Sequence, residues 1–330
     1  MTEQFNVLIS SAGRRVALLD IFRKTLRSMG FAGKVMAADM SPLSSAFHRA
    51  DEAVLVPSCT DPMFVETMLE VCRKRAVRLL IPTLDPELPV YAANRQRFAQ
   101  IGTTVAISSS EVVSIAYDKG LTHSWLVEHG FPTIRQSEAE VLRRNDGWSF
   151  PLLVKPRTGS SSIGVSIVRD RAELEVATRD GDFVVQTIAE GHEYTIDVMA
   201  DGLGRCLCAV PRRRLEVRTG EVSKGMTLRS EKLIELGFGI CDALPGAYGS
   251  LNIQVFSDPD TDRMNVIEIN PRFSGGFPLS WQAGARYPQW LIEEILGRKS
   301  AAGPDGWQDG LVMLRWDEAV FTTADRVGLR

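Results

Sequence analysis

The residues best suited to chemistry lie in one run, Val266-Ile267-Glu268-Ile269-Asn270-Pro271-Arg272. Side chains alternate faces along a strand, so Glu268 and Asn270 share one face while Ile267 and Ile269 share the other. An earlier run, Leu251 to Phe256, repeats the pattern with Asn252 and Gln254 against Leu251, Ile253 and Val255. A hairpin symmetric about Asp260 sets Asn252 opposite Glu268 and Gln254 opposite Val266. Four oxygen-bearing side chains then converge on one sheet face. All-oxygen ligands suit Mg²⁺, which takes few carboxylates and completes its shell with water and phosphate. Arg272, just beyond, offers a planar fork to a phosphoryl group. The plainer reading is a solvated polar face, and the Glu-x-Asn-Pro-Arg run favours the site.

Three further stretches add to this. Lys155 ends the apolar run Leu152 to Lys155, and Gly159-Ser160-Ser161-Ser162-Ile163-Gly164 follows shortly after. Glycine lets backbone approach closely, and successive N–H and hydroxyl groups can cradle phosphate. Val165 stands where a P-loop lysine belongs and the next segment reads as a strand, so the stretch fits a hairpin loop closing over phosphates. Gln186-Thr187-Ile188 is a linker between two strands whose backbone can pair with an adenine edge, and Glu193 beyond it can accept from ribose hydroxyls. Pro211 to Lys232 reads as a cationic loop, with seven Lys/Arg against three Glu. It holds Arg212, Arg214 and Lys224 and suggests an anionic ligand. No aromatics interleave with it, so small phosphates or carboxylates are favoured over nucleic acid.

Other candidates are weaker. The loop Ser11 to Arg15 sits at a strand–helix junction suited to anions but lacks the dinucleotide glycine pattern. Asp85 lies in a post-strand loop that equally fits a helix cap. Cys206 and Cys208 read as strand alternation, the four histidines show no metal spacing, and no Gly-x-Ser-x-Gly exists.

The elements that must carry these groups are legible in outline. At 330 residues the chain has room for about two domains. Lys and Arg number 38 against 41 Asp and Glu, which excludes a globally basic nucleic-acid binder. A 44% hydrophobic, 24% charged composition is that of a folded globular protein. No apolar run is long enough for a membrane helix, no leader pattern precedes Asn6, and five cysteines without C-x-x-C point to a reduced, cytoplasmic setting. Short apolar runs at Asn6 to Ser10, Val35 to Ala38, Val54 to Pro57, Leu79 to Pro82 and Thr104 to Ile107 alternate with helical periodicity, the signature of a parallel α/β sheet. Beyond a helical stretch at Glu111 to His129, strands come in hairpin-like pairs, giving an α+β second portion with antiparallel sheets.

Read in order, these pieces resemble the ATP-grasp superfamily. The likeness is to one ATP-binding unit of the carbamoyl-phosphate synthetase large subunit and to stand-alone carboxylate–amine ligases. It covers Asn6 to about Gly297. The resemblance implies a Rossmann-like domain over 1–110, an ATP lid over 111–186 and an antiparallel-sheet subdomain with metal and substrate site over 187–330. It implies that Lys119 and Lys155 reach nucleotide phosphates and that Gly159 to Gly164 covers them. It implies that Gln186, Thr187 and Ile188 meet adenine and that Glu193 accepts from ribose. Gln186 stands where many relatives carry an acid. Gln254, Glu268 and Asn270 become ligands of Mg²⁺ (or Mn²⁺), with Glu268 bridging two ions, and Arg272 steadies the transferred phosphoryl. Arg214 and Lys224 fall in the segment that meets substrate. The implied activity is ATP-dependent joining of a small carboxylate to an amine or ammonia through an acyl phosphate. The alternatives are a kinase or carboxyphosphate-forming enzyme on the same fold, and a nucleotide-binding module without turnover. Neither nucleic acid nor membrane is an expected partner. Relatives often pair through the α/β region, which makes a homodimer the oligomeric expectation.

Overall fold

The computed structural model describes residues 3–143, 147–159, 163–218 and 220–329. Five parallel strands form the first sheet: β1 (Asn6–Ser10), β2 (Val35–Asp39), β3 (Glu52–Leu55), β4 (Val77–Ile81) and β5 (Thr104–Val105), in the order β3-β2-β1-β4-β5. β1 and β2 are almost continuously apolar because helices cover both faces of this sheet. The helices are α1 (Val16–Ser28), α2 (Ser45–Arg49), α3 (Phe64–Lys74) and α4 (Leu88–Gln100). α1 buries Leu18, Leu19, Phe22 and Leu26, spaced at helical turns. Strand order reverses between β1 and β4, so the loops after these strands diverge and leave a crevice. Those loops carry Arg15 and Asp85.

Two helices, α5 (Ser110–Tyr117) and α6 (Lys119–Glu128), lead out of this domain. Asp118 divides them and caps α6, its carboxylate accepting from Gly120 and Leu121 N–H. The lid is a four-stranded antiparallel sheet of β6 (Gln136–Glu138), β7 (Leu152–Pro156), β8 (Ser166–Val168) and β9 (Phe183–Thr187), ordered β6-β9-β7-β8, with α7 (Ala139–Arg143) and α8 (Arg171–Ala177) packed against it. Its small core includes Leu142, Leu152, Val154, Leu174 and Val185.

The third sheet has six strands in the order β14-β13-β10-β11-β12-β15: β10 (His192–Ala200), β11 (Cys206–Arg218), β12 (Glu221–Thr227), β13 (Gly249–Asp258), β14 (Arg263–Asn270) and β15 (Val312–Leu314). Helix α9 (Glu231–Ala243) lies against β10 and β11. Gly237 makes that approach possible, since a Cβ there would stand 2.9 Å from Ile196 Cγ2 and 3.1 Å from Ala209 Cβ. Helices α10 (Phe277–Ala283) and α11 (Tyr287–Ile295) share a hydrophobic core with the first sheet and α1.

Two sequence expectations are corrected. Pro211 to Lys232 is not a loop. Most of it is the long hairpin β11–β12, so its charged residues sit on strands with alternating faces. The β13–β14 register is also shifted from symmetry about Asp260. Gln254 pairs with Glu268 and Asn252 with Asn270, while Val255 pairs with Val266. Ile267 is therefore an extra, bulged residue. The hairpin tip is displaced by one residue and the bulge adds a second, and a two-residue shift restores the original faces.

Candidate active site

Between the lid and the six-stranded sheet lies a cavity of about 380 Å³. Its floor is the polar face of β13 and β14. Gln254, Glu268 and Asn270 all line it. Asn252 lines it too but spends its amide internally, donating to the carbonyls of Asn270 (3.3 Å) and Arg272 (3.0 Å) and so fixing the turn after β14. Gln254, Glu268 and Asn270 remain as the oxygen-bearing residues of this floor, with Asn270 Oδ1 accepting from Arg272 Nη2 at 3.4 Å. The bulge at Ile267 frees a carbonyl, and Lys155 Nζ stands 3.5 Å from it.

The two lysines arrive from different elements. Lys155 is the fourth residue of β7 and is only 6% exposed. Burial pushes its ammonium down to about 8, with Glu268 opposing the shift and Lys119 adding to it. Lys119 opens α6 and donates to the Gly159 carbonyl at 2.7 Å. Burial lowers its ammonium as well, against the pull of Glu268 and Asp85. Arg157 ties the two elements together, its Nε donating to both oxygens of Asp118. Thr158, Gly159 and Ile163 line the cavity above the lysines. Ser160, Ser161 and Ser162 lie outside the described residues. Gly164 has φ of +75°, the left-handed region that favours glycine.

At the far wall, Gln186 is 4% exposed and its Oε1 is buried without a hydrogen-bond partner among the described residues. Ile188 lines the cavity beside it, whereas Thr187 does not. Glu193 is the second residue of β10 and is gripped by Arg214, whose Nη1 lies 2.5 Å from Oε1. Burial raises the Glu193 carboxyl while Arg214 draws it back. Arg214 also donates to Gly220 O, and its Nε is buried with no partner among the described residues. Lys224 is not brought into this assembly. It pairs across the sheet with Glu216, on the face opposite to Arg214 and Gly225.

Arg272 holds Asp85 of the first domain with two contacts, Nε at 2.5 Å and Nη2 at 2.8 Å. Burial disfavours its charge, and Asp85 together with Glu268 and Glu221 more than restores it. The Asp85 loop is itself set by Glu87, whose buried carboxylate accepts from Ser10 and Ser11 hydroxyls and from Thr83 and Leu84 N–H. Burial raises that carboxyl, and those four donors oppose the rise.

Sequence reading missed one polar assembly under the cavity. Asp197, fully buried in β10, accepts from Arg212 Nε (2.7 Å) and Nη2 (3.0 Å), from Ser274 (2.8 Å) and from Ser280 (2.5 Å). Arg212 Nη1 is buried without a partner among the described residues. A carboxylate within the apolar strand Tyr194 to Ala200 is the signal that could have found it, because a buried acid demands partners.

Comparison with known proteins finds likenesses along most of the chain. Residues 7–106 match the family described as PylC-like, N-terminal domain. Residues 123–216 match D-ala D-ala ligase C-terminus, and residues 179–317 match ATP-grasp in the biosynthetic pathway with Ter operon. The chain is built of ATP-grasp family domains. Among curated relatives, the carbamoyl phosphate synthase large chain of Thermotoga maritima is 23% identical over 298 residues, covering 83% of this chain. That of Rubrobacter xylanophilus is 25% identical over 287 residues, covering 76%. This ATP-grasp chain spans 27% of the length of either relative. Among solved structures, the biotin carboxylase domain of Hydrogenobacter thermophilus 2-oxoglutarate carboxylase, complexed with MgADP and bicarbonate, superposes with a TM-score of 0.73 at 18% identity. That match covers 93% of this chain and 73% of the other. An L-amino acid ligase from Bacillus licheniformis gives 0.67 at 20% identity, covering 89% and 75%. These likenesses establish the ATP-grasp fold, with its parallel first sheet and antiparallel second portion.

Proposed function

We propose that this protein is an ATP-dependent, ADP-forming ligase that joins a small carboxylate to an amine or ammonia. The observation that carries the reading is the convergence of Gln254, Glu268 and Asn270 with Lys119, Lys155 and Arg272 around one cavity. The residues fit the nucleotide and its metal. Three oxygen donors share one face, two lysines lie beside them, and Gln186 Oε1 and Arg214 Nε are buried atoms awaiting a partner. Gln254, Glu268 and Asn270 would hold Mg²⁺ or Mn²⁺, which supplies charge neutralisation at the phosphates. Gln186 and Ile188 would meet adenine and Glu193 the ribose, while Thr187, off the cavity, drops out of the assignment.

On this reading a substrate carboxylate oxygen attacks the γ-phosphorus of ATP and the bond to ADP breaks. The resulting acyl phosphate is attacked by the amine, an amide forms, and phosphate leaves. The amine proton passes to substrate or water. The protein positions and neutralises, and does little covalent work. Lys119 and Lys155 offset phosphate charge, and Arg272 steadies the phosphoryl group in flight. Arg214 acts through Glu193, and Lys224 drops out of the assignment. Of the described residues, no helix is long and apolar enough to cross a membrane, and all five cysteines are free. A cytoplasmic homodimer pairing through the first domain completes the reading, supported by the dimer named for the Hydrogenobacter neighbour.

The test is ADP release with Mg·ATP across a panel of carboxylic acids in hydroxylamine. An acid yielding both ADP and hydroxamate supports the ligase. ADP with no hydroxamate from any acid overturns it in favour of a kinase.

A further inference from the structure

The cavity continues past Arg272 into a corner where the first domain meets the β11–β12 hairpin. Arg15, at the start of α1, faces Glu221, the first residue of β12. Both line the cavity, as does Gly275 from the turn after β14. Arg15 Nη1 stands 3.9 Å from Glu221 Oε1, too far for a hydrogen bond. The Arg15 side chain is 20% exposed, and its guanidinium donates no hydrogen bond to any described residue. Glu221 is anchored on its other side, where Oε2 accepts from Arg315 Nη1 at 3.2 Å. Its Oε1 is left facing Arg15 across a gap. The floor of that gap is Gly275, and a Cβ there would lie 3.1 Å from both Arg15 Nη1 and Glu221 Oε1.

We infer that Arg15 and Glu221, parted over Gly275, form a recognition site for the carboxylate and ammonium of a zwitterionic amino acid. A guanidinium with free donors beside a carboxylate with a free oxygen presents the complement of that pair of charges. A hydrogen-bonded ion pair would leave fewer donors and acceptors to offer. Burial and the neighbouring Arg272 both disfavour the charge on Arg15, and Glu221 offsets this only in part. Arg15, Arg315 and Arg14 hold the Glu221 carboxyl down against burial, so it is ionised and able to accept from an ammonium. The site names a substrate class for the ligase proposed above and rests on that reading for its purpose, though not for its geometry.

The test uses the full chain saturated with Mg·ADP. The free proteinogenic amino acids, their desamino acids and their decarboxylated amines are titrated by calorimetry. The expected result is that at least one amino acid binds while its two truncated analogues bind at least about tenfold more weakly. Glu221→Gln should weaken that amino acid by a similar factor. Gly275→Ala, which fills the gap without losing either charge, should weaken it too. A desamino acid that binds as tightly as its parent overturns the inference, as does a panel in which nothing binds. So does unchanged affinity in both folded variants. The same samples with ATP and hydroxylamine separate the two proposals. Hydroxamate from an acid indifferent to its ammonium removes this site and keeps the ligase. Amino-acid binding that meets the criteria above, with no ADP released, keeps the site and removes the ligase.

Discussion

At the scale of single residues, the cavity chemistry divides between groups that bear charge and groups that set it. Glu268 sits opposite Gln254, and its charge opposes the lowering of both Lys119 and Lys155. Glu268→Ala should abolish Mg²⁺-dependent nucleotide binding and leave the circular dichroism spectrum native, because its side chain faces the cavity rather than a core. Native turnover by that variant would refute the ligand assignment. Lys155 gives a pH dependence of known sign. Its folded value, about 8, lies below the ordinary 10.5, so the free protein loses this positive charge as pH rises through 8. On the proposed reading, phosphate binding requires the charge. ADP affinity should therefore hold steady below pH 8 and fall by up to about tenfold per unit above it. Lys155→Met should bind weakly with no such slope, and calorimetry across pH 7 to 9.5 distinguishes the two. Glu268 and Asn270 were legible through strand alternation, Arg272 through the Glu-x-Asn-Pro-Arg run that continues past β14, and Lys155 as the residue ending an apolar run. The loops of Asp85 and Arg15 were noted as candidates, but their partners were not, because these lie far away in sequence, 187 residues in the case of Asp85 and Arg272.

At the scale of elements, local rules told most of the story and long-range pairing told the rest. The five short apolar runs became the five parallel strands, and the hairpins of the second portion formed largely where the pattern put them. The β11–β12 hairpin escaped because its cluster of arginines and lysines looks like a solvated loop. In the fold those charges are sorted by alternation, Arg212 and Arg214 inward and Lys224 outward. The bulge at Ile267 was equally invisible, since nothing in an apolar residue marks it as the one left unpaired. Helix α9 supplies a prediction at this scale. Gly237→Ala gains about 1 kcal/mol of helix propensity. It also drives a methyl against Ile196 and Ala209, both fully buried on central strands that cannot retreat. Overpacking costs about 1–3 kcal/mol, so the packing term should win. Urea denaturation should show a net loss of stability, and a gain would mean that the helix can shift away from the sheet.

At the scale of the whole molecule, the first domain and the six-stranded sheet are joined by a shared core and by one buried ion pair, Arg272 with Asp85. Asp85→Ala leaves a mostly buried guanidinium without its carboxylate and should cost about 3 kcal/mol in the free protein. ATP should then raise the melting temperature of the variant by more than that of the parent, since phosphate would meet an arginine relieved of its carboxylate and held only by longer contacts to Asn270 and Phe273. Equal shifts would show that Asp85 does not compete. That competition has a kinetic side. On the proposed reading of Arg272, Asp85 is an internal anion resting where a phosphoryl oxygen would go, and the free protein would carry its own surrogate for the triphosphate tail. An incoming γ-phosphate must evict this tenant, which discounts the affinity for ATP. Once the γ-phosphate has been transferred and lost, Asp85 can retake the guanidinium. The same contact that taxes substrate entry would then help expel ADP, making turnover less prone to stall on its own product.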